Sequence, residues 1–271
     1  MRCIRWFIMA ATVPVLLGVT VMPARATLAY PNSMASVGDS ITRAYDIGWC
    51  CILSDSPQYS WSTGYSTSVN SQYRRLLALN PTISGHEYND ARTGAKMADL
   101  ASQVKTAAGQ AVNYLTVLMG ANDLCTSSIA TMTPTATFQA QVQQALTDFF
   151  ATDSNGHVYL SSLPNIYQLW SVLHTNALAR STWASFKICQ SMLNANNTEA
   201  QRQQVVAQEV ADNNVLATVC AQFTNCRWDG LAAYNTQFPA GDVSTVDYFH
   251  PNIQGQNDVA RVTWGASYWG P

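Results

Sequence analysis

Tyr114-Leu115-Thr116-Val117-Leu118-Met119, closed by Gly120, is the stretch on which the fold turns. It is uncharged, rich in apolar and β-branched residues, and short. Such a run suits a central strand of a parallel sheet, buried on both faces. Weaker strand candidates flank it: Met34 to Val37, stopped by Gly38; His86 to Tyr88; and His157 to Leu163, stopped by Pro164. Helical patterns fall between them. Ser66 to Leu79 places Val69, Tyr73, Leu76 and Leu77 on one face, and Met97 to Ala108 carries Leu100, Ala101 and Val104. Thr133-Pro134 predicts an N-cap with proline at the first helical position. Thr198 to Cys220 predicts a long helix, and a last one follows Pro251. Strands alternating with helices imply an α/β fold, a parallel sheet covered on both faces. Its functional loops belong at the carboxyl ends of the strands.

The whole chain has 271 residues, 48% of them hydrophobic, enough to bury a core. Charged residues are only 11%, against about 25% in ordinary soluble domains. There are 14 basic and 16 acidic residues and no basic run, so the electrostatic footprint of a nucleic-acid binder is absent.

Arg2 and Arg5 precede an apolar stretch from Trp6 to Met22, followed by Pro23-Ala24-Arg25-Ala26. This order of charge, apolar core and small-residue site predicts a secretory signal peptide over residues 1–26, cleaved after Ala26. The run is short for a bilayer span of about 20 residues. Residues 27–271 are then expected to form a single secreted domain without a membrane span. Loss of Arg2, Arg5 and Arg25 takes the net charge from −2 to −5.

Six cysteines lie beyond that segment: Cys50, Cys51, Cys125, Cys189, Cys220 and Cys226. An even number in an oxidising compartment suggests disulfides, and short metal-ligand spacing is missing. Sequence cannot choose among the pairings. Cys220 with Cys226 is the best local pair and Cys125 with Cys189 a weaker one, whereas a vicinal Cys50–Cys51 bridge is geometrically awkward.

Four pieces could carry chemistry. Gly38-Asp39-Ser40-Ile41 follows the first strand, where a turn can expose a serine hydroxyl and aim backbone N–H groups at an oxyanion. Glycine and serine also simply make turns. Asn89-Asp90-Ala91-Arg92-Thr93-Gly94 supplies a glycine loop after the weak strand. Gly120-Ala121-Asn122-Asp123 ends the best strand, and its Asn122 amide could point at the same oxyanion. In Asp247-Tyr248-Phe249-His250-Pro251 a carboxylate three residues before a histidine can reach Nδ1 and leave Nε2 free as a base. Each piece also has an ordinary structural explanation. His86, His157 and His174 have no acid at useful local spacing and read as packed or surface residues.

In their order along the chain these four pieces resemble the sequence blocks of the SGNH hydrolases, also called GDSL-type esterases and lipases. The resemblance runs from Met34 to about Gly255, with G-D-S-I in place of G-D-S-L. It implies a three-layer α/β/α sandwich with a five-stranded parallel sheet, the flavodoxin-like SGNH hydrolase fold. It further implies Ser40 as nucleophile, His250 as base and then acid, and Asp247 as the residue that orients His250. The oxyanion hole would be the N–H groups of Ser40 and Gly94 with the Asn122 amide. No metal or organic cofactor is required. Asp39 and Asp123 are taken as structural.

Ser60-Trp61-Ser62-Thr63-Gly64, Leu163-Pro164-Asn165 and Leu169-Trp170 look like secreted actinobacterial lipases and phospholipases of this family. The implied activity is hydrolysis of lipid or phospholipid esters through an acyl-enzyme by a secreted monomer. A carbohydrate acetyl esterase and a non-catalytic secreted binding protein are the alternatives. Tyr59, Trp61 and Trp170 are candidates to line an acyl site, with core packing the competing role for at least one tryptophan.

Overall fold

The computed structural model describes residues 28–270. The expected leader over residues 1–26 lies outside the described residues. Five strands form one all-parallel sheet: β1 (Met34–Gly38), β2 (Glu87–Asn89), β3 (Tyr114–Leu118), β4 (His157–Leu160) and β5 (Cys226–Trp228). Their order is β2-β1-β3-β4-β5. The helices are α1 (Gln72–Leu79), α2 (Leu100–Gly109), α3 (Ala121–Leu124), α4 (Thr135–Thr152), α5 (Ile166–Leu173), α6 (Ala177–Ser185), α7 (Gln190–Leu193), α8 (Glu199–Cys220), α9 (Ala232–Asn235) and α10 (Ile253–Ala266).

Strand alternation builds two cores. Ala35, Val37, Leu115, Val117, Val158 and Leu160 face one way and pack against α2, α4 and α8 through Leu100, Val104, Phe138, Val142, Phe149, Val205 and Leu216. Met34, Tyr114, Leu118 and Tyr159 face the other way, against Trp61, Tyr73 and Leu76 and, from α10, Val259 and Ala260. Ser36 and Thr116 also point into this second layer. Their hydroxyls are satisfied by Thr63 at 2.9 Å and Ser62 at 2.6 Å, so the Ser60–Gly64 segment closes that face as a polar lid. The result is the expected three-layer α/β/α sandwich.

The element boundaries carry some corrections. Helix α1 begins at Gln72, not Ser66, because the Ser71 hydroxyl caps it by accepting from Arg74 N–H at 3.0 Å. The residues before it are tied instead to Asn257 of α10, through Asn70 N–H at 2.8 Å and the Ser68 carbonyl at 2.6 Å. Pro134 occupies the cap position of α4 rather than the first turn. Thr198 caps α8 with a reciprocal bond from Gln201, as its Thr-x-x-Gln pattern dictates. Three disulfides join the six described cysteines: Cys220–Cys226, Cys125–Cys189 and the vicinal Cys50–Cys51 pair that sequence geometry disfavoured.

Strand order reverses between β1 and β3, which end side by side with Gly38 opposite Leu118. At such a switch point the loops diverge and open a crevice. Gly38 is required there, since its φ is +151° and a Cβ would collide with the Leu118 carbonyl oxygen.

Candidate active site

Ser40 leaves β1 in a tight turn. Asp39 makes that turn: its Oδ1 accepts from Ile41 N–H at 2.9 Å, and its own carbonyl accepts from Arg43 N–H at 3.1 Å. The Asp39 carboxyl is fully buried and its Oδ2 has no partner, so burial pushes its pKa up to about 6. From α2, Gln103 grips Gly38 with both ends of its amide, at 2.7 Å and 3.0 Å. From α10, buried Gln256 donates to the Ile41 carbonyl at 2.8 Å and accepts from Trp61 N–H at 2.8 Å. The turn is therefore held from both helical layers.

His250 arrives from the far end of the chain. Its Nε2 lies 2.8 Å from Ser40 Oγ, and its Nδ1 lies 2.5 Å from Asp247 Oδ2. The other oxygen, Asp247 Oδ1, accepts from Phe249 N–H at 2.8 Å and His250 N–H at 3.0 Å. This local turn places Tyr248 at φ +56°, and the Trp183 indole anchors it by donating to the Tyr248 carbonyl at 3.0 Å. Burial pushes the Asp247 pKa up. The hydrogen bond and charge of His250, with the two backbone N–H groups, outweigh that and hold it below the usual carboxylate value. Tyr45 and Phe249 each set a ring edge-on to the imidazole, with centroids 5.0 Å away.

Gly94 and Asn122 border the same cleft as Ser40 and His250. Gly94 has φ +78° with open space where a Cβ would stand, so backbone conformation rather than crowding calls for glycine. Asn122 Nδ2 donates one hydrogen to the Ala95 carbonyl at 2.9 Å. That leaves its second hydrogen for another acceptor. The adjacent Asp123 accepts from Met97 N–H at 2.8 Å, so Asn122-Asp123 fastens the loop that carries Gly94. Among the described residues, neither Ser40 N–H nor Gly94 N–H is committed to an acceptor. All five residues singled out for chemistry thus border one crevice.

The crevice has a volume of about 560 Å³. Tyr45, Ile52, Leu53, Phe186, Ile188, Val246 and Phe249 supply its apolar walls. A smaller recess of about 90 Å³ lies beside His250, bounded by Ile41, Pro164, Ile166, Leu169, Phe238 and Phe249. The three aromatic candidates for an acyl site are not in the crevice. Trp61 is fully buried in the second core, with its indole donating to Thr42 at 3.2 Å, and Tyr59 packs on that same core. Trp170 packs under the Arg202 guanidinium, 3.6 Å from its ring centre. His86 and His174 are exposed, and His157 packs edge-on against Tyr268.

Sequence reasoning missed Gln103, Gln256 and Trp183. The two glutamines carry a signal nonetheless: each falls on the buried phase of its helix, where an amide needs partners. Nothing local marks Trp183.

Residues 34–262 match the family model described as GDSL-like Lipase/Acylhydrolase. No curated protein matches the chain. Similar solved structures include one described as a GDSL-like lipase from Parabacteroides merdae, with 16% identity and a TM-score of 0.53 over 86% of this chain and 94% of that one. Another is the acetyl xylan esterase AlAXEase, with 17% identity and a TM-score of 0.52 over 86% of this chain and 98% of that one. At these identities the likeness is one of fold.

Proposed function

Because the chain belongs to the family of GDSL-like lipases and acylhydrolases and is a carboxylic ester hydrolase, we propose that it is a secreted enzyme cleaving lipid esters through an acyl-enzyme on Ser40. The observation that carries this reading is the continuous relay Ser40 Oγ–His250 Nε2, His250 Nδ1–Asp247 Oδ2, opening into an apolar crevice.

In the first step Ser40 Oγ attacks the ester carbonyl carbon as His250 Nε2 takes its proton. Asp247 fixes the proton on Nδ1 and stabilises the imidazolium that forms. The carbonyl oxygen becomes an oxyanion facing Ser40 N–H, Gly94 N–H and the free hydrogen of Asn122. His250 then protonates the leaving alcohol, and the acyl group remains on Ser40. A water, deprotonated by His250, repeats the attack and releases the acid.

Lipid is favoured over sugar by what borders the crevice. Ser40, Asn122, Asp247 and His250 belong to the reaction, which leaves as polar side chains the Tyr45 hydroxyl and Thr93, whose hydroxyl already donates to Asp55. A polyhydroxylated substrate needs more partners than that, because unpaired buried polar groups are costly. Secretion is supported by the amino-terminal pattern of residues 1–26 and by the three disulfides. Among the described residues, no helix is long and apolar enough to cross a membrane.

The test is product release from two substrates in parallel. Fatty acid from phosphatidylcholine, with little acetate from acetylated xylan, is the expected outcome. The reverse ratio would replace the lipid reading with the carbohydrate one.

A further inference from the structure

Large apolar side chains are exposed in an uneven way. Of nine such residues among those described, Trp49, Ile52 and Leu53 fall within five positions, at 73%, 47% and 54% exposure, and no other five-residue stretch presents three. A fourth, Phe186 at 67%, stands at the end of α6. Ile52, Leu53 and Phe186 also border the crevice that holds Ser40 and His250. The patch and the crevice mouth are therefore one continuous surface.

Each segment is fastened by a disulfide at or near its exposed apolar residues. Cys50 bonds Cys51 beside Trp49, and Cys189, three residues after Phe186, bonds Cys125. Asp46 closes the first loop, with Oδ1 accepting from Leu53 N–H at 2.9 Å and its own N–H donating to the Ser54 carbonyl at 3.1 Å. The exposed acid of that loop, Asp55, is occupied by Arg43 Nε at 2.9 Å and the Thr93 hydroxyl at 2.5 Å. Lys187 is exposed next to Phe186. An apolar rim with its acid paired and a cation beside it matches the boundary between acyl chains and phosphate headgroups, where indole rings are also at home.

We propose that the Trp49–Leu53 loop and Phe186 form a docking surface for aggregated lipid, seating the crevice mouth on a bilayer. The occupant follows from the continuity. A protein partner or second copy covering this patch would also cover the entrance to Ser40, whereas a lipid surface delivers substrate through it. The inference rests on the lipid-ester reading and extends it to the physical form of the substrate.

The experiment uses the full chain and phosphatidylcholine vesicles, with Ser40→Ala to stop hydrolysis in the binding arm. Ser40→Ala protein should float with the vesicles. Adding Trp49→Ala should weaken binding about tenfold, equivalent to about 1.4 kcal/mol, while Trp49→Phe should retain most of it. With Ser40 intact, Trp49→Ala should keep its rate on dispersed short-chain phosphatidylcholine and lose about tenfold on vesicles. Equal losses on dispersed and vesicular lipid, or none on either, would overturn the proposal. So would a dimer broken by Trp49→Ala in a chain that ignores vesicles. Cleavage of dispersed lipid without vesicle binding sinks the docking surface and spares the lipid-ester function. Vesicle binding without cleavage of either form does the opposite.

Discussion

Gln103 holds Gly38 by both of its backbone polar groups: Oε1 accepts from Gly38 N–H at 2.7 Å, and Nε2 donates to the Gly38 carbonyl at 3.0 Å. Gly38 is two residues from Ser40, and Gln103 sits on α2, in the opposite helical layer from α10. The strand end that presents Ser40 is thereby locked to a helix that contributes no residue to the crevice.

Truncating that amide should be felt twice. Gln103→Ala leaves a buried N–H without a partner, which costs about 1–3 kcal/mol. Equilibrium urea unfolding should show this loss, and kcat should fall as the Ser40 turn loosens. Unchanged stability would mean that the clamp is not formed in solution.

Asn122→Ala removes the proposed side-chain donor of the oxyanion hole and the bond to Ala95. Losing one such donor typically lowers kcat by about 10²–10³. We expect that loss with a stability change of about 1 kcal/mol, since the neighbouring Asp123 still fastens the loop through Met97 N–H. Steady-state kinetics alongside thermal unfolding separates the two effects. Near-normal turnover would remove Asn122 from the mechanism.

Asp247→Asn tests the orientation of the imidazole. The Asn Oδ1 can still accept from Phe249 and His250 N–H, so the turn should survive. Its amide would donate to Nδ1 and force the proton onto Nε2, the wrong tautomer for accepting from Ser40. A fall in kcat on the order of 10³–10⁴ is expected with little change in unfolding temperature.

Much of this site was readable from sequence for a simple reason. Ser40 and Asn122 sit just past strand ends marked by Gly38 and Gly120, Gly94 marks the loop after β2, and Asp247 and His250 show through their own three-residue spacing. β3 was legible because an uncharged run of its length has few other uses. β5 was not: Cys226-Arg227-Trp228 is three residues long, pairs only with β4, and owes its conformation to that neighbour. Helices α5 and α6 are too short for periodicity to rise above the aromatic and polar residues around them. The acyl-site role fails for Tyr59, Trp61 and Trp170, and the competing core role holds for Trp61, because an aromatic side chain advertises burial without saying on which side of the sheet. Gln103 was passed over because a glutamine on a helix ordinarily faces water.

Stability should respond to pH through Asp39. Its pKa in the fold is about 6, above the ordinary carboxylate value near 3.9, so the folded chain binds this proton more tightly than the unfolded one. Its contribution is full below about pH 4, is lost as pH climbs toward 6, and stays level above that. Asp247, whose pKa is lowered, acts with the opposite sign, losing its contribution as the solution becomes strongly acid. Asp39→Asn should therefore make the decline between pH 4 and 6 shallower without removing it, since an amide keeps the acceptor for Ile41 N–H and cannot ionise, while burial also raises Asp46, Asp212 and Asp242 to about 6. Urea midpoints at several pH values would reveal this. An identical slope in the variant would place the titration elsewhere.

The proposed chemistry rests most directly on the reactivity of one hydroxyl. A fluorophosphonate should react once per chain, and the mass of the labelled peptide should place the adduct on Ser40. Labelling should vanish in Ser40→Ala and slow severely in His250→Ala, in step with ester hydrolysis. Adduct on another residue, or undiminished hydrolysis by Ser40→Ala, would contradict it.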